Sequence, residues 1–516
     1  MTYDYIVVGA GSSGATVAGL LAQWTTSTIL LLEAGPDYRS SETPIEIRQA
    51  NSLALQDSTR FAEYWWQPPA RLNAVQEPSS YDRGRGIGGC SSVNCQVAIR
   101  GVPGDYDQWA DEGCAGWGFD DVLQSFVRLE HDHDFPMAAF HGSSGPLPIH
   151  RPGRSSFGPI DNVLADSAID LGYQWTDDHN SPRASGVSPA AMNSRDGVRF
   201  STSDAYLEPV RDKGNLTVLG NVVVDRILFS GRRATGLRCR VAGEWKTLDA
   251  TEIILASGAF NSPTILMRSG IGPTDQLRAC GVDLVYENPA VGQNLSDHPA
   301  LFLSVNLNEP TSKDTRDGYP VGCLARFDSN FTGAGSNDMG FGSFNFWGLP
   351  GEGCAGGSVF VTLFQSLSRG TISMTSSDPD ADADINFNML DDRRDMERMT
   401  VGVHHLLEVG TNAVKNGGAA SVTIGDDVQS VQDLPQGDAL RDWLFRQVGT
   451  IGHPCGTCRM GSTDDPRSVV DPDCRVIGVE NLRVADASII PIVPRANNHL
   501  SCVMVGEHLV AKMLQK

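Results

Sequence analysis

The first thirty-five residues leave little freedom in what this chain can build. Tyr5-Ile-Val-Val8 is a short β-branched run that enters Gly9-Ala-Gly11-Ser12-Ser13-Gly14. A small-residue helix pattern, Ala15 to Ala22, follows. A second apolar run, Thr28 to Leu32, then ends in Glu33-Ala34-Gly35. Strand, glycine-rich turn, helix, strand and terminal acid make a dinucleotide clamp. Gly9 permits the tight turn, Gly11 lets backbone approach a pyrophosphate, and Gly14 lets the helix pack on the strand. The helix N-terminus offers unpaired N–H groups to the phosphates. Glu33 stands where a carboxylate can accept from ribose hydroxyls. This motif alone does not separate NAD from FAD.

The rest of the chain narrows the class. At 516 residues it can hold more than one core. It has no apolar run of about 18 residues, so no transmembrane helix is expected. The N-terminus enters the first strand directly, without the pattern of a secretory signal. A net charge of −22 argues against nucleic acid and anionic membrane partners. The eleven scattered cysteines read as reduced thiols of a cytoplasmic protein. Cys455 and Cys458 form a C-x-x-C, but no second pair at zinc spacing accompanies it, so no metal is expected.

Further along, Tyr81 to Trp109 is turn-rich, and Ile160 to Leu171 has an amphipathic helical pattern. Strands are predicted over 215–218, 222–228, 234–238, 246–248 and 252–256. A helix then starts near Ser262-Pro263, with proline in its first turn. Residues 308–320 read as an exposed polar loop. Alternating strands fill 321–390 and include Val359–Phe364 and Thr371–Met374. Helices are predicted over 396–409, 438–447 and 503–514, with a short strand at 482–485.

Four segments carry a more specific signal. They are the clamp itself; Gly84-Arg85-Gly-Ile-Gly-Gly89-Cys90-Ser-Ser-Val93-Asn94 with Arg100-Gly101; Gly258 to Gly272 with Val291 to His298; and His453-Pro-Cys-Gly-Thr-Cys-Arg-Met-Gly461 with Val484 to Ile489 and Asn497-Asn-His499-Leu500. In this order and spacing the chain resembles the glucose–methanol–choline (GMC) oxidoreductases, of the small bacterial alcohol oxidase or dehydrogenase type. The resemblance implies an α/β fold: a Rossmann-like FAD-binding domain with an interleaved α+β substrate-binding domain on an antiparallel sheet. The FAD domain would comprise 1–158, 199–306 and 450–516, and the substrate domain 159–198 and 307–449.

It also implies FAD. Expected contacts are Gly9, Gly11, Ser12, Ser13, Gly14, Glu33 and Ala34 in the clamp, then Trp66, and Arg85, Gly89 and Asn94 in the flavin loop. Val224 would meet the adenine through its backbone, and Asp486 and Leu500 would meet the rest of the cofactor. Some members attach FAD through a histidine just before the loop asparagine. Val93 stands there, so FAD is expected to be non-covalent. Cys90 replaces a more usual Ser or Thr.

Oxidising an alcohol removes a hydroxyl proton and a carbon-bound hydride. The protein must supply a base, and imidazole suits that role. By resemblance His453 is the general base and His499 its partner, with Asn498 as the alternative. His298 and His508 are read as structural. Phe341, Phe344, Phe346, Trp347, Phe360 and Phe364, with Trp65 and Trp66, suggest an apolar pocket and an aromatic or apolar primary alcohol. O₂ or another acceptor would re-oxidise the cofactor, in a monomer or small homo-oligomer. An FAD-containing lyase of the hydroxynitrile lyase or photodecarboxylase type, and a polyol or sugar dehydrogenase, are the alternatives. An NAD enzyme and a non-catalytic binder are disfavoured by the flavin loop and the two histidines.

Overall fold

The computed structural model describes residues 2–51, 55, 61–311, 318–347, 354–425 and 427–515. Two seven-stranded sheets organise the molecule. The first has Thr2–Val8 at its centre, paired in parallel with Ile29–Leu32 on one side and Glu244–Leu255 on the other. Leu216–Leu219 extends one edge in parallel, and Leu482–Val484 joins Glu244–Leu255 in parallel. Val222–Ser230 and Arg233–Val241 add an antiparallel meander. The central strands end in buried apolar runs, with helix Ser12–Trp24 packed against Thr2–Val8 and Ile29–Leu32. Ile6, Val7 and Ile29–Leu32 are almost fully buried.

Helix Ser12–Trp24 follows the first strand and packs against the last helix, Asn498–Leu514. The nucleotide module is thus closed by the two ends of the chain. Gly506 allows the close approach, because a Cβ there would sit 2.9 Å from the Ser13 carbonyl.

The second sheet is antiparallel, in the order Ser421–Thr423, Pro299–Thr311, Cys354–Leu363, Met339–Trp347, Cys323–Phe327 and Gly186–Pro189. Helices Pro159–Asp170 and Arg393–Lys415 cover one face. Asp161 caps the first of these by accepting from Gly158 N at 2.8 Å, with Pro159 in the first turn. The described residues contain no helix long and apolar enough to cross a membrane.

Some elements differ from the sequence reading. Pro103–Asp111 is helical inside the turn-rich stretch, with Asp105 accepting from Val102 N at 2.9 Å. The helix expected near Ser262 begins at Gly258, so Pro263 lies in its interior. Proline cannot donate to the Ala259 carbonyl one turn back. Thr457 Oγ1 donates to that carbonyl instead, at 2.6 Å. The supposed loop 308–320 is strand as far as Thr311, and 312–317 lie outside the described residues. Residue 306 falls within strand Pro299–Thr311 of the second sheet.

Candidate active site

A cleft of about 370 Å³ opens at the C-terminal ends of the central parallel strands. Ten of the residues expected to hold the cofactor line it: Gly9, Gly11, Ser12, Ser13, Glu33, Ala34, Trp66, Gly89, Val224 and Asp486. The other four are set back from it. Gly14 abuts the Gly9 carbonyl, where any Cβ would collide. Arg85 lies over the Trp66 ring at 4.9 Å and donates to Ala34 O at 3.2 Å, so it holds the wall. Asn94 Oδ1 accepts from Gln96 N and Arg199 Nη1, both at 2.9 Å. Leu500 is fully buried in the core beneath.

The cleft fits a dinucleotide on three observations. Gly11 has φ −74°, which any residue adopts, and a Cβ there would meet nothing nearer than Gly89 Cα at 4.0 Å. Protein packing therefore does not require glycine at this position; the open space before it does. The first helix has no side-chain cap and no acid in its first turn, which leaves its N–H groups and positive end free for an anion. Finally, Glu33 organises the walls. Its carboxylate accepts from Ala10 N and Gly35 N at 2.9 Å and from Gly86 N at 3.0 Å, joining the clamp to the flavin loop. Burial pushes this carboxyl up, while those N–H groups pull it down.

Asp486 has a matching role on the opposite wall. It accepts from Gly258 N at 2.8 Å, Ser262 Oγ at 2.6 Å and Ser488 N at 2.8 Å. Gly258 reaches this position with φ +82°. Gly258 thus has a contact role that was not expected of it, at a strand end and the start of a second helix.

His453, in contact with His298, immediately precedes Pro454, which forms part of the cleft wall. His453 is fixed through both backbone and ring. Its N–H donates to Asp297 Oδ1 at 2.8 Å, and its carbonyl accepts from Asn498 Nδ2 at 2.7 Å. Its ring Nδ1 lies 3.0 Å from His298 Nδ1, and its Nε2 lies 3.2 Å from Asn497 Nδ2. Burial, with His298 and Arg83 nearby, holds the imidazole well below its ordinary pKa and so neutral.

His499 contacts the clamp instead: Nδ1 lies 3.1 Å from Ser12 Oγ, while Nε2 is buried without a hydrogen-bond partner in the protein. Burial pushes its pKa down to about 4. The ring nitrogen of His453 thus meets Asn497, which the sequence reading passed over. His298, read from the sequence as structural, touches His453. His508 lies elsewhere, bonded to Ser125 Oγ and Gly116 O.

The aromatic set divides by strand parity. Phe341 stacks on Phe327 at 4.5 Å under the helices, away from the histidines. Phe344 and Phe302 pack on Phe360, and Phe364 meets the edge of His298 at 5.5 Å. Phe346 is exposed, and the Trp347 side chain lies outside the described residues.

Cys455 and Cys458 are buried free thiols. Cys90 lines the cleft and accepts from Arg83 Nη2 at 2.9 Å. Glu130, Asp132 and His141 are close enough to offer three atoms to a cation. His141 is already spent on Glu130 at 2.7 Å and Asp178 at 3.0 Å, with Arg100 on Glu130 and Arg151 on Asp132.

Comparison with known proteins identifies the family. Residues 3–300 and 366–506 match the two GMC oxidoreductase family profiles. The chain belongs to the GMC oxidoreductase family. It is 32% identical to a 5-(hydroxymethyl)furfural oxidase of Methylovorus sp. (strain MP688), over 99% of this chain and 98% of that one. It is 31% identical to an oxygen-dependent choline dehydrogenase of Photobacterium profundum, over 98% and 92%. Among solved structures, pyridoxine 4-oxidase from Mesorbium loti superposes with a TM-score of 0.88 at 29% identity, covering 100% of both chains. For a GMC oxidoreductase the family implies FAD and an alcohol-type donor.

Proposed function

We propose that this GMC oxidoreductase oxidises a primary alcohol on an aromatic or apolar body to the aldehyde, with FAD held non-covalently and His453 as general base. FAD, when bound, supplies the hydride acceptor. His453 takes the hydroxyl proton at Nε2, after Asn497 yields its place to the substrate. His499, anchored to Ser12 through Nδ1 and with its buried Nε2 unpartnered in the protein, is assigned to support the developing charge. O₂ or another acceptor completes the cycle.

The observation that carries this reading is the His453 imidazole, held at both ring nitrogens and kept neutral next to the wall of the dinucleotide cleft. A neutral imidazole is the form a base requires. Two buried histidines also favour redox chemistry over a lyase in which flavin is structural.

Non-covalent attachment is supported by Val93. It packs into an apolar cluster with Ile47, Leu55 and Phe61 and offers no nucleophile. The uncharged substrate is supported by Asp297. This carboxylate touches His453 but already accepts from Tyr81, Thr450 and the N–H groups of His298 and His453, so it is not free to pair with a quaternary ammonium. Phe344, Phe360 and Phe364 present an apolar face on the His298 side. Relatives named for hydroxymethylfurfural and pyridoxine point the same way. The free thiols suit a cytoplasmic setting.

An anaerobic panel of benzylic, furanic and pyridine methanols, choline and sugars tests the reading. Rapid loss of flavin colour with the aromatic alcohols is expected, and fast recolouring in air would mark an oxidase. Loss of colour with choline or sugars alone would overturn the substrate class. Flavin that stays with acid-precipitated protein would overturn non-covalent binding.

A further inference from the structure

His298 is fully buried, its ring set between the Pro494 carbonyl and His453, with the Phe364 backbone also against it. Its Nε2 lies 3.0 Å from the Pro494 carbonyl, and its Nδ1 lies 3.0 Å from His453 Nδ1. A carbonyl only accepts, so Nε2 of His298 must carry a hydrogen. In a neutral imidazole the other nitrogen is then a bare acceptor. Two bare nitrogens cannot bond, so Nδ1 of His453 must carry the hydrogen between them. That leaves His453 Nε2 bare, and Asn497 Nδ2 is in place to donate to it at 3.2 Å. The Pro494 carbonyl thus sets the protonation of both rings.

We infer that His298 is a positioning residue that fixes the tautomer of His453, so that the nitrogen turned to the substrate is the one able to accept a proton. The inference rests on the assignment of His453 as base. The surrounding contacts hold the alignment. Asp297 accepts from the N–H of His298 at 2.7 Å and of His453 at 2.8 Å through one oxygen, Oδ1. Ser296 and Cys455 exchange backbone bonds of 3.0 and 2.9 Å just beyond. Phe364 packs edge-on to His298 and limits its rotation. When His453 gains a proton at Nε2, its Nδ1–H already points at the His298 lone pair, so no ring has to flip. An orienting acceptor on the far nitrogen of a base is the logic of the hydrolase triads, with imidazole here in the place of a carboxylate.

The test compares His298→Leu with His298→Asn in the FAD-loaded enzyme. Asparagine places Oδ1 where His298 Nδ1 was and restores an acceptor; leucine fills space without one. Both variants should bind flavin. His298→Leu should lower the rate of anaerobic flavin reduction at saturating alcohol by a large part of the roughly 10²–10⁴-fold that a positioned base contributes, with little change in KM. His298→Asn should recover most of that rate. Nitrogen NMR of histidine-labelled protein should show His453 protonated at Nδ1 in wild type and His298→Asn, and at Nε2 or mixed in His298→Leu. Equal loss in both variants, or an unchanged His453 tautomer in His298→Leu, would overturn the inference. A His453→Ala enzyme that still reduces flavin normally would instead overturn the base assignment itself, so the two failures are distinguishable.

Discussion

Thr457 and Pro263 make an energetic prediction that follows from one missing hydrogen. Pro263 sits inside the helix that forms one wall of the cleft and cannot donate to Ala259 O. Thr457 Oγ1, fully buried, donates to that carbonyl at 2.6 Å. Replacing Thr457 with valine keeps the shape and removes the donor. Leaving a buried polar group unpaired costs about 1–3 kcal/mol. Unfolding entropy of about 2.1 cal/mol/K per residue gives roughly 1.1 kcal/mol/K for a chain of this length, so Tm should fall by about 1–3 °C. Thr457→Ser should be milder, since it keeps the hydroxyl. The decisive comparison is a double-mutant cycle with Pro263→Ala, which restores an N–H one turn from Ala259. In that background Thr457→Val should cost at least about 1 kcal/mol less. Chemical denaturation of the four proteins measures the coupling. Additive losses would refute the compensation.

Gly11→Ala should leave apo-protein stability unchanged or raise it by about 0.4–1 kcal/mol, because φ there is −74°, yet abolish flavin retention. A yellow variant would show that the clamp does not face the cofactor. Four buried histidines should make the fold acid-labile. His298, His499 and His508 are pushed down to about 4, and His179 to about 3, by burial. Their folded values lie below the ordinary 6.5, so their contribution is complete above pH 6.5 and is lost as pH falls towards 4, at about 1.4 kcal/mol per pH unit for each group. Burial lowers His453 and His150 in the same sense, while Glu507, raised to about 7, the raised carboxyls of Glu33, Asp105, Asp161, Asp297 and Asp486, and the raised His141 act against them. Urea unfolding should show lower stability at pH 5 than at pH 7, and equal midpoints would contradict the burial argument.

The clamp was legible because its constraints are local. Gly9 turns with φ +99° and Gly14 abuts the Gly9 carbonyl within the same turn, so spacing places strand, turn and helix, although the Ala256 carbonyl that also crowds Gly9 is remote in sequence. Helices at Arg393–Lys415 and Asp438–Gln447 show in their apolar periodicity. The start of the Gly258 helix was hidden because Thr457, remote in sequence, supplies what Pro263 lacks. The site divides in the same way. Glu33 was visible as an acid at a strand end, but its three backbone donors come from positions 10, 35 and 86, which only the fold assembles. His298 and Asn497 were missed because residue type cannot show which ring nitrogen faces which partner. Position on the sheet likewise separates Phe364, one residue past strand Cys354–Leu363 and beside His298, from Phe341, which faces the helices.

The central claim is that His453 removes the alcohol proton. It is tested most directly by anaerobic stopped-flow reduction of the bound flavin, in wild type and His453→Ala, with an alcohol found active in the panel. Flavin should remain bound in the variant, and its reduction should slow by roughly 10²–10⁴-fold. Reduction at the wild-type rate by a flavin-loaded His453→Ala enzyme would contradict the account.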